Sequence, residues 1–202
     1  MAMIKNCIFD FGQVLVEFVP EKLTAVYTDN ADDIRLISDA VFDRLYWDRL
    51  DDGTITDSEV RSAFCARLPA RLHETALKAY DNWIENLVPI SEVVSLLPQI
   101  KKSGGRLYLL SNISRGFAEK YRDIAKINDI LSLFDGMVFS GTLGITKPNK
   151  EIFEHLLYTF GLNAEESIFI DDNINNIIGA EKAGIKGYLF DGDTEKLKLS
   201  LF

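Results

Sequence analysis

Five short apolar runs, each followed by a helical stretch, constrain this chain more than any other feature. They lie at residues 4–9, 107–110, 137–139, 167–170 and 186–190. Runs this short, bounded by polar or glycine-containing turns, suit strands buried on both faces. Strands that alternate with helices predict an α/β fold with a parallel sheet doubly wound by helices. In such sheets ligands bind beyond the carboxyl ends of the strands, so the residue that ends each run stands where a ligand would bind.

Residues 17–88 break the alternation. They are helical in pattern, acidic and rich in aromatics, with no convincing strand. Leu36, Ile37, Ala40, Val41 and Leu45 fall on one helical face. Asp51-Asp52-Gly53 interrupts that pattern, and Thr56 with Glu59 three residues later forms a capping-box signal for the next helix. A further helix is predicted over 72–83. The segment therefore reads as a helical domain inserted after the first strand, with residues 1–16 and 89–202 forming the α/β core. Within that core a helix is expected over 91–102, kinked at Pro98 or starting later than its apolar pattern suggests. Pro148 suits a first helical turn, and Gly184 suits the C′ position closing a helix over 174–183.

Charge narrows the function. The chain of 202 residues has a formal net charge of −9. Residues 17–88 carry 15 acidic and 8 basic side chains, and the remainder 16 and 14. Neither part offers the basic stripe that nucleic-acid binding requires. The apolar runs fall far short of the ~20 residues that span a bilayer, so no membrane partner is expected. The first residues lack a basic stretch followed by a long apolar one, which argues against a signal peptide. Cys7 and Cys65 show no metal-like spacing, Cys7 reads as a small buried hydrophobe, and a reducing cytoplasm is the expected setting. An acidic chain can bind phosphate only through a local device such as a metal ion, a lysine or a helix N-terminus.

The strand ends supply that device. The first run ends in Asp10, the second in Ser111 and Asn112, and the fourth in Asp171 and Asp172. Lys147 follows the third run. A parallel sheet brings all of them to one edge. Three carboxylates gathered there repel one another unless a cation lies between them. Hard oxygen ligands with no His or Cys among them suit Mg²⁺. Ser111 and Lys147 offer a hydrogen-bond donor and a positive charge, which the oxygens of a phosphoryl group need. Taken singly, each residue has an ordinary alternative as a turn or helix-capping residue; it is their shared edge that points to a site.

The ordered set Asp10-Phe11-Gly12-Gln13-Val14, Leu110-Ser111-Asn112, Lys147-Pro148 and Ile170-Asp171-Asp172 resembles the four motifs of the haloacid dehalogenase superfamily. The resemblance spans the whole chain. Residues 17–88 are similar to the helical cap of its phosphatase branch, and Gly53-Thr54-Ile55-Thr56 to sugar-phosphate phosphatases within that branch. It implies a Rossmann-like core and a Mg²⁺-dependent phosphatase acting on a small phosphorylated metabolite, a sugar phosphate first of all. Asp10 would be the nucleophile that forms an aspartyl-phosphate. Asp10, the Gly12 carbonyl and Asp172 would hold Mg²⁺, with Asp171 as a direct or water-mediated ligand. Ser111, Asn112 and Lys147 would bind the phosphoryl group, Lys147 also steadying the nucleophile.

One departure matters. The superfamily's phosphatases place a second aspartate two residues after the nucleophile, as general acid and base, and here that position is Gly12. Glu17 is a candidate substitute, though an exposed hinge glutamate is its plainer reading. In the inserted segment Phe42, Arg44, Tyr46, Trp47 and Arg49 are candidates for substrate contact, with packing as the ordinary alternative for the aromatics. The missing acid keeps two alternatives open: a non-catalytic metabolite-binding or regulatory protein, and a 2-haloacid dehalogenase. The paired Asp171 and Asp172 weigh against the latter.

Overall fold

The computed structural model describes residues 4–202; residues 1–3 of the expected first core segment lie outside the described residues. Strands β1 (Asn6–Phe9), β4 (Arg106–Ser111), β5 (Gly136–Phe139), β6 (Ser167–Asp171) and β7 (Lys186–Leu189) form a parallel sheet in the order β5-β4-β1-β6-β7. Two short strands, β2 (Val16–Glu17) and β3 (Val88–Pro89), pair antiparallel on their own. They bracket the helices α1 (Pro20–Ala25), α2 (Ala31–Val41), α3 (Arg44–Asp51), α4 (Asp57–Arg67) and α5 (His73–Asp81). The remaining helices are α6 (Ser91–Val94), α7 (Leu96–Lys102), α8 (Arg115–Lys120), α9 (Ala125–Leu131), α10 (Ser140–Leu143), α11 (Lys150–Phe160), α12 (Ile174–Lys182) and α13 (Thr194–Leu201).

The period-two alternation of the strands explains why helices cover both faces. Cys7, Phe9, Leu107, Leu109, Ile168 and Ile170 pack with Leu97 and Ile100 of α7 and Ile127 of α9 on one side. Ile8, Tyr108, Leu110 and Phe169 pack with Ile152, Phe153 and Leu156 of α11 and Ile177 of α12 on the other. Each large apolar side chain buried this way contributes about 1.5–3 kcal/mol. Cys7 belongs to this core, and burial pushes its thiol up to about 12, which makes it an inert packing residue.

Several local expectations change. Leu45 does not continue the face of α2: Asp43 accepts a hydrogen bond from the Leu45 backbone N–H at 2.9 Å and starts a new helix, leaving Leu45 exposed. The helix expected over 91–102 breaks at Ser95 rather than at Pro98. Pro98 then sits in the first turn of α7, where no N–H is needed. Pro148 precedes α11 instead of opening it, because Asn149 takes the N-cap position. The Thr56–Glu59 capping box forms, and Gly184, with φ +84°, follows the end of α12.

The sheet order makes β1 the switch point: the chain winds outward through β4 and β5, then returns across β1 to β6 and β7. Phe9 pairs with Leu109 on one side and Ile170 on the other. Asp10 therefore emerges at the centre of the sheet, level with Leu110 and Asp171.

Candidate active site

Asp10 leaves β1 with its backbone N–H bonded to the Ile170 carbonyl at 2.9 Å. The chain then folds back tightly: the N–H groups of Leu15 and Val16 both reach the Phe11 carbonyl, at 2.9 and 3.2 Å. Gln13 completes the turn with φ +58°, and its side-chain oxygen accepts the Phe18 N–H at 3.0 Å. This turn holds the Asp10 carboxylate at the floor of a cavity of about 540 Å³.

Lys147 is the hub of the floor. Its ammonium is buried, 2.8 Å from Asp10 Oδ1 and 2.7 Å from Asp171 Oδ2, and it donates to the Leu110 carbonyl at 3.0 Å. Two hydrogen bonds fix its backbone: the Lys147 N–H donates to Asn112 Oδ1 at 2.8 Å, and Asn112 Nδ2 donates to the Lys147 carbonyl at 2.9 Å. The loop after β4 is clipped to that after β5 by the Ile113 N–H, which donates to Ser140 Oγ at 2.9 Å. Ser111, at the end of β4, is buried and lines the cavity.

Asp171 is saturated by donors. Its Oδ1 accepts from the Asn173 N–H at 2.8 Å and from Asn176 Nδ2 at 3.0 Å; its Oδ2 accepts from Lys147 and again from Asn176 at 3.0 Å. Asp172, more exposed, reaches the cavity wall. Oxygens of Asp10, Asp171 and Asp172 lie within 4.8 Å of one another.

The electrostatics follow from burial. Burial pushes the Asp10 carboxyl up to about 7, with Lys147 pulling it down and Asp171 adding to the rise. Burial also lifts Asp172, and the neighbouring Asp171 charge lifts it further. Burial works against the Lys147 charge, yet Asp10 and Asp171 together hold its pKa above the ordinary lysine value.

These residues fit a hard divalent cation. Asp10 Oδ1 is buried and accepts no well-aligned hydrogen bond, because Lys147 approaches it at ion-pair distance but off the bonding direction. A buried oxygen held only by an ion pair beside two more carboxylates, with neither sulfur nor imidazole present, matches the all-oxygen donor set of Mg²⁺.

The structure brings Asp10, Gly12, Ser111, Asn112, Lys147, Asp171 and Asp172 to one edge. Both polar ends of the Asn112 amide bond the Lys147 backbone, so this side chain positions the lysine, and it also lines the cavity. Glu17 lies in β2, pairs with Lys22 and does not line the cavity. Of the inserted segment's five candidates, Arg44 and Trp47 line the cavity. Phe42 packs on Phe18 and Trp47, and Tyr46 lies under the Arg67 guanidinium. Sequence reasoning missed Asn176, the clamp on Asp171, although three asparagines within Asn173, Asn175 and Asn176 directly follow the aspartate pair. It also missed Asp51, a buried carboxylate on the cavity wall.

Comparison with known proteins agrees with this architecture. Over 183 residues the chain is 28% identical to a sesquiterpene phosphatase of Aspergillus oryzae, covering 91% of this chain and 88% of that one. It is 29% identical over 193 residues to a D-ribitol-5-phosphate phosphatase of Bacteroides thetaiotaomicron, covering 89% and 88%. A haloacid dehalogenase family enzyme of B. thetaiotaomicron, crystallised with magnesium and inorganic phosphate, superposes with a TM-score of 0.67 at 20% identity, covering 94% of this chain and 96% of that one. The haloacid dehalogenase-like hydrolase family itself matches residues 4–184. The four strand-end groups and this match over most of the chain lead to one conclusion: the protein belongs to the haloacid dehalogenase-like hydrolases.

Proposed function

We propose that this hydrolase is a Mg²⁺-dependent phosphomonoesterase acting on a small phosphorylated metabolite. The observation that carries the reading is the floor of the cavity, where the Asp10 carboxylate meets a buried lysine and two further carboxylates. Asp10 attacks phosphorus in line, giving an aspartyl-phosphate that water then hydrolyses. Lys147 neutralises the oxygens that gain charge, and Ser111 donates a hydrogen bond to the phosphoryl group. Asp171, held by Asn176 and the Asn173 N–H, keeps Lys147 aimed at Asp10. Asp10, Asp172 and the Gly12 carbonyl would hold Mg²⁺, with Asp171 at the edge of its shell; when bound, the ion offsets the negative charge of the phosphoryl group and the carboxylates.

The helices between β2 and β3, residues 17–88, act in this reading as a cap that excludes water from a small substrate. Among the described residues no helix is long and apolar enough to cross a membrane, and both cysteines are free, which suits the reducing cytoplasm proposed for the protein. The alternatives fit less well. A 2-haloacid is an anion, and two added carboxylates repel it. A mere metabolite binder has no need of a nucleophile placed in line.

A sugar phosphate remains the first substrate class, because Gln13, Arg44 and Asn175 give the wall groups that can bond hydroxyls. The aromatic wall of Phe18, Trp47 and Trp83 favours a second class, the monophosphate of an apolar alcohol. A panel holding both classes, assayed for phosphate release with Mg²⁺ and with EDTA, tests the reading. Release from at least one member, abolished by EDTA, is expected; silence across the panel with Mg²⁺ present contradicts it.

A further inference from the structure

The position two residues after the nucleophile is Gly12, so the proton for the leaving alcohol must come from elsewhere in the chain. Asp51 is the last residue of α3 in the inserted segment and is 7% exposed. It lines the same cavity as Asp10 and Lys147, close enough for both charges to act on it. Trp47, Leu50 and Asp51 form the buried face of α3, which places a carboxyl where the helix otherwise presents apolar surface.

Two cations, Arg44 of its own helix and Lys147 of the core, act on this group without hydrogen-bonding to it. Among the described residues no donor hydrogen-bonds to the Asp51 side chain. Arg44, the nearest cation of its own helix, is paired with Asp48 at 2.7 Å. A buried carboxyl without a hydrogen-bond donor is shifted toward its protonated form, since the charged form loses more hydration than the distant Arg44 and Lys147 charges return. Burial accordingly pushes Asp51 up to about 7. A carboxyl that can hold a proton near neutral pH, lining the same cavity as the nucleophile Asp10, is the arrangement acid catalysis requires.

The backbone around Asp51 is fixed. The N–H groups of Thr54 and Ile55 both bond to the Arg49 carbonyl, at 2.9 and 3.2 Å, and Asp52 Oδ1 accepts the Thr54 N–H at 2.8 Å. Gly53 then rests against the core, where a Cβ would lie 3.2 Å from the Gly141 carbonyl oxygen. The turn that carries Asp51 is thus seated on α10, directly after β5, rather than hanging free.

From this geometry we infer that Asp51 is the general acid and base of the reaction, supplied by the inserted segment in place of the residue missing at Gly12. This inference rests on the phosphatase reading and deepens it. As Asp10 bonds to phosphorus, the bond from phosphorus to the leaving oxygen breaks, its electron pair stays on that oxygen, and the Asp51 proton transfers to it. The alcohol departs and Asp51 is left as a carboxylate. A water molecule next attacks phosphorus and gives one proton to Asp51, the bond to Asp10 breaks, and inorganic phosphate leaves with both carboxyls restored. Because the acid sits on the inserted segment, the site is complete only when that segment is seated on the core.

The test compares two leaving groups. p-Nitrophenolate departs as a stable anion and needs no acid, whereas an aliphatic alkoxide does. Asp51→Asn is expected to lower kcat/KM for an aliphatic-alcohol phosphate from the panel by about 10²- to 10⁴-fold, while kcat/KM for p-nitrophenyl phosphate changes little. A Cβ at Gly12 meets nothing within 4 Å, so an aspartate fits there. Adding Gly12→Asp to Asp51→Asn is expected to restore much of the lost rate, a rescue that a packing defect would not show. Equal losses on both substrates without rescue, or no loss on either, overturn the role of Asp51 and leave the phosphatase reading standing. A wild-type enzyme that releases phosphate from neither substrate overturns both.

Discussion

The ammonium of Lys147 and the carboxylate of Asp171 meet at 2.7 Å, and neither side chain is reachable by solvent. Coulomb attraction in this interior is strong, but so is the cost of removing two charges from water. The pair holds because Lys147 also faces Asp10 and Asp171 also accepts from Asn173 and Asn176. Removing Lys147 leaves two carboxylates without their cation, whereas removing the Asp171 charge leaves Lys147 with Asp10.

Lys147→Met is therefore expected to cost about 3–5 kcal/mol of stability, and Asp171→Asn clearly less. Urea denaturation followed by circular dichroism measures both. Equal stabilities of the two variants would show that Asp10 does not share the lysine.

The seating of the inserted segment makes a second prediction. Gly141 lies under the turn carrying Gly53, and a Cβ at position 141 would come within 2.5 Å of the Arg115 backbone nitrogen and 2.8 Å of the Ile113 carbonyl oxygen. Those atoms belong to backbone and cannot swing aside. Gly141→Ala should destabilise by about 1–3 kcal/mol and raise KM, because the surface that receives the segment shifts. Gly53→Ala meets the Gly141 oxygen at 3.2 Å and must keep φ near +74°, so its cost should be nearer about 1 kcal/mol. Thermal unfolding together with steady-state kinetics ranks the two.

Asp51 also leaves a signature in stability against pH. In the unfolded chain its carboxyl loses its proton near the ordinary value of about 3.9, whereas burial in the folded protein raises that point to about 7. Between these values the folded state holds a proton that the unfolded state has lost, so stability falls as pH rises through the window. The charges facing it are Arg44 and Asp48 on its own helix and Asp10 and Lys147 from the core. Asp51→Asn removes the titration. Wild type should match the variant near pH 4 and fall below it by up to a few kcal/mol at pH 7, where urea midpoints report the gap. A difference that does not change with pH would mean that Asp51 is ionised throughout.

The core was legible because its strands are buried on both faces and end abruptly in polar residues. Apolar runs ending in Asp10, Ser111 and Asp171 give strand positions and site residues together, and the structure places all five predicted strands in one parallel sheet. Asn112 shows the limit of such reading: its place beside Ser111 was evident, but only coordinates reveal that its amide bonds the Lys147 backbone at both ends. The inserted segment was harder, because its helices pack through aromatic contacts among Phe18, Trp47 and Trp83 that no local pattern encodes. Asp51 was read only as part of a helix-breaking Asp-Asp-Gly run. Its spacing from Trp47 and Leu50 already put a carboxylate on an apolar face, and that breach of amphipathicity was the available signal.

The central claim, that Asp10 is the nucleophile of a Mg²⁺-dependent phosphatase, is tested most directly by p-nitrophenyl phosphate turnover in wild type and Asp10→Asn. With Mg²⁺, wild type is expected to release p-nitrophenolate and the folded variant to lose at least about 10⁴-fold, since an amide lacks the nucleophilic carboxylate oxygen. Turnover by Asp10→Asn at the wild-type rate would contradict the account.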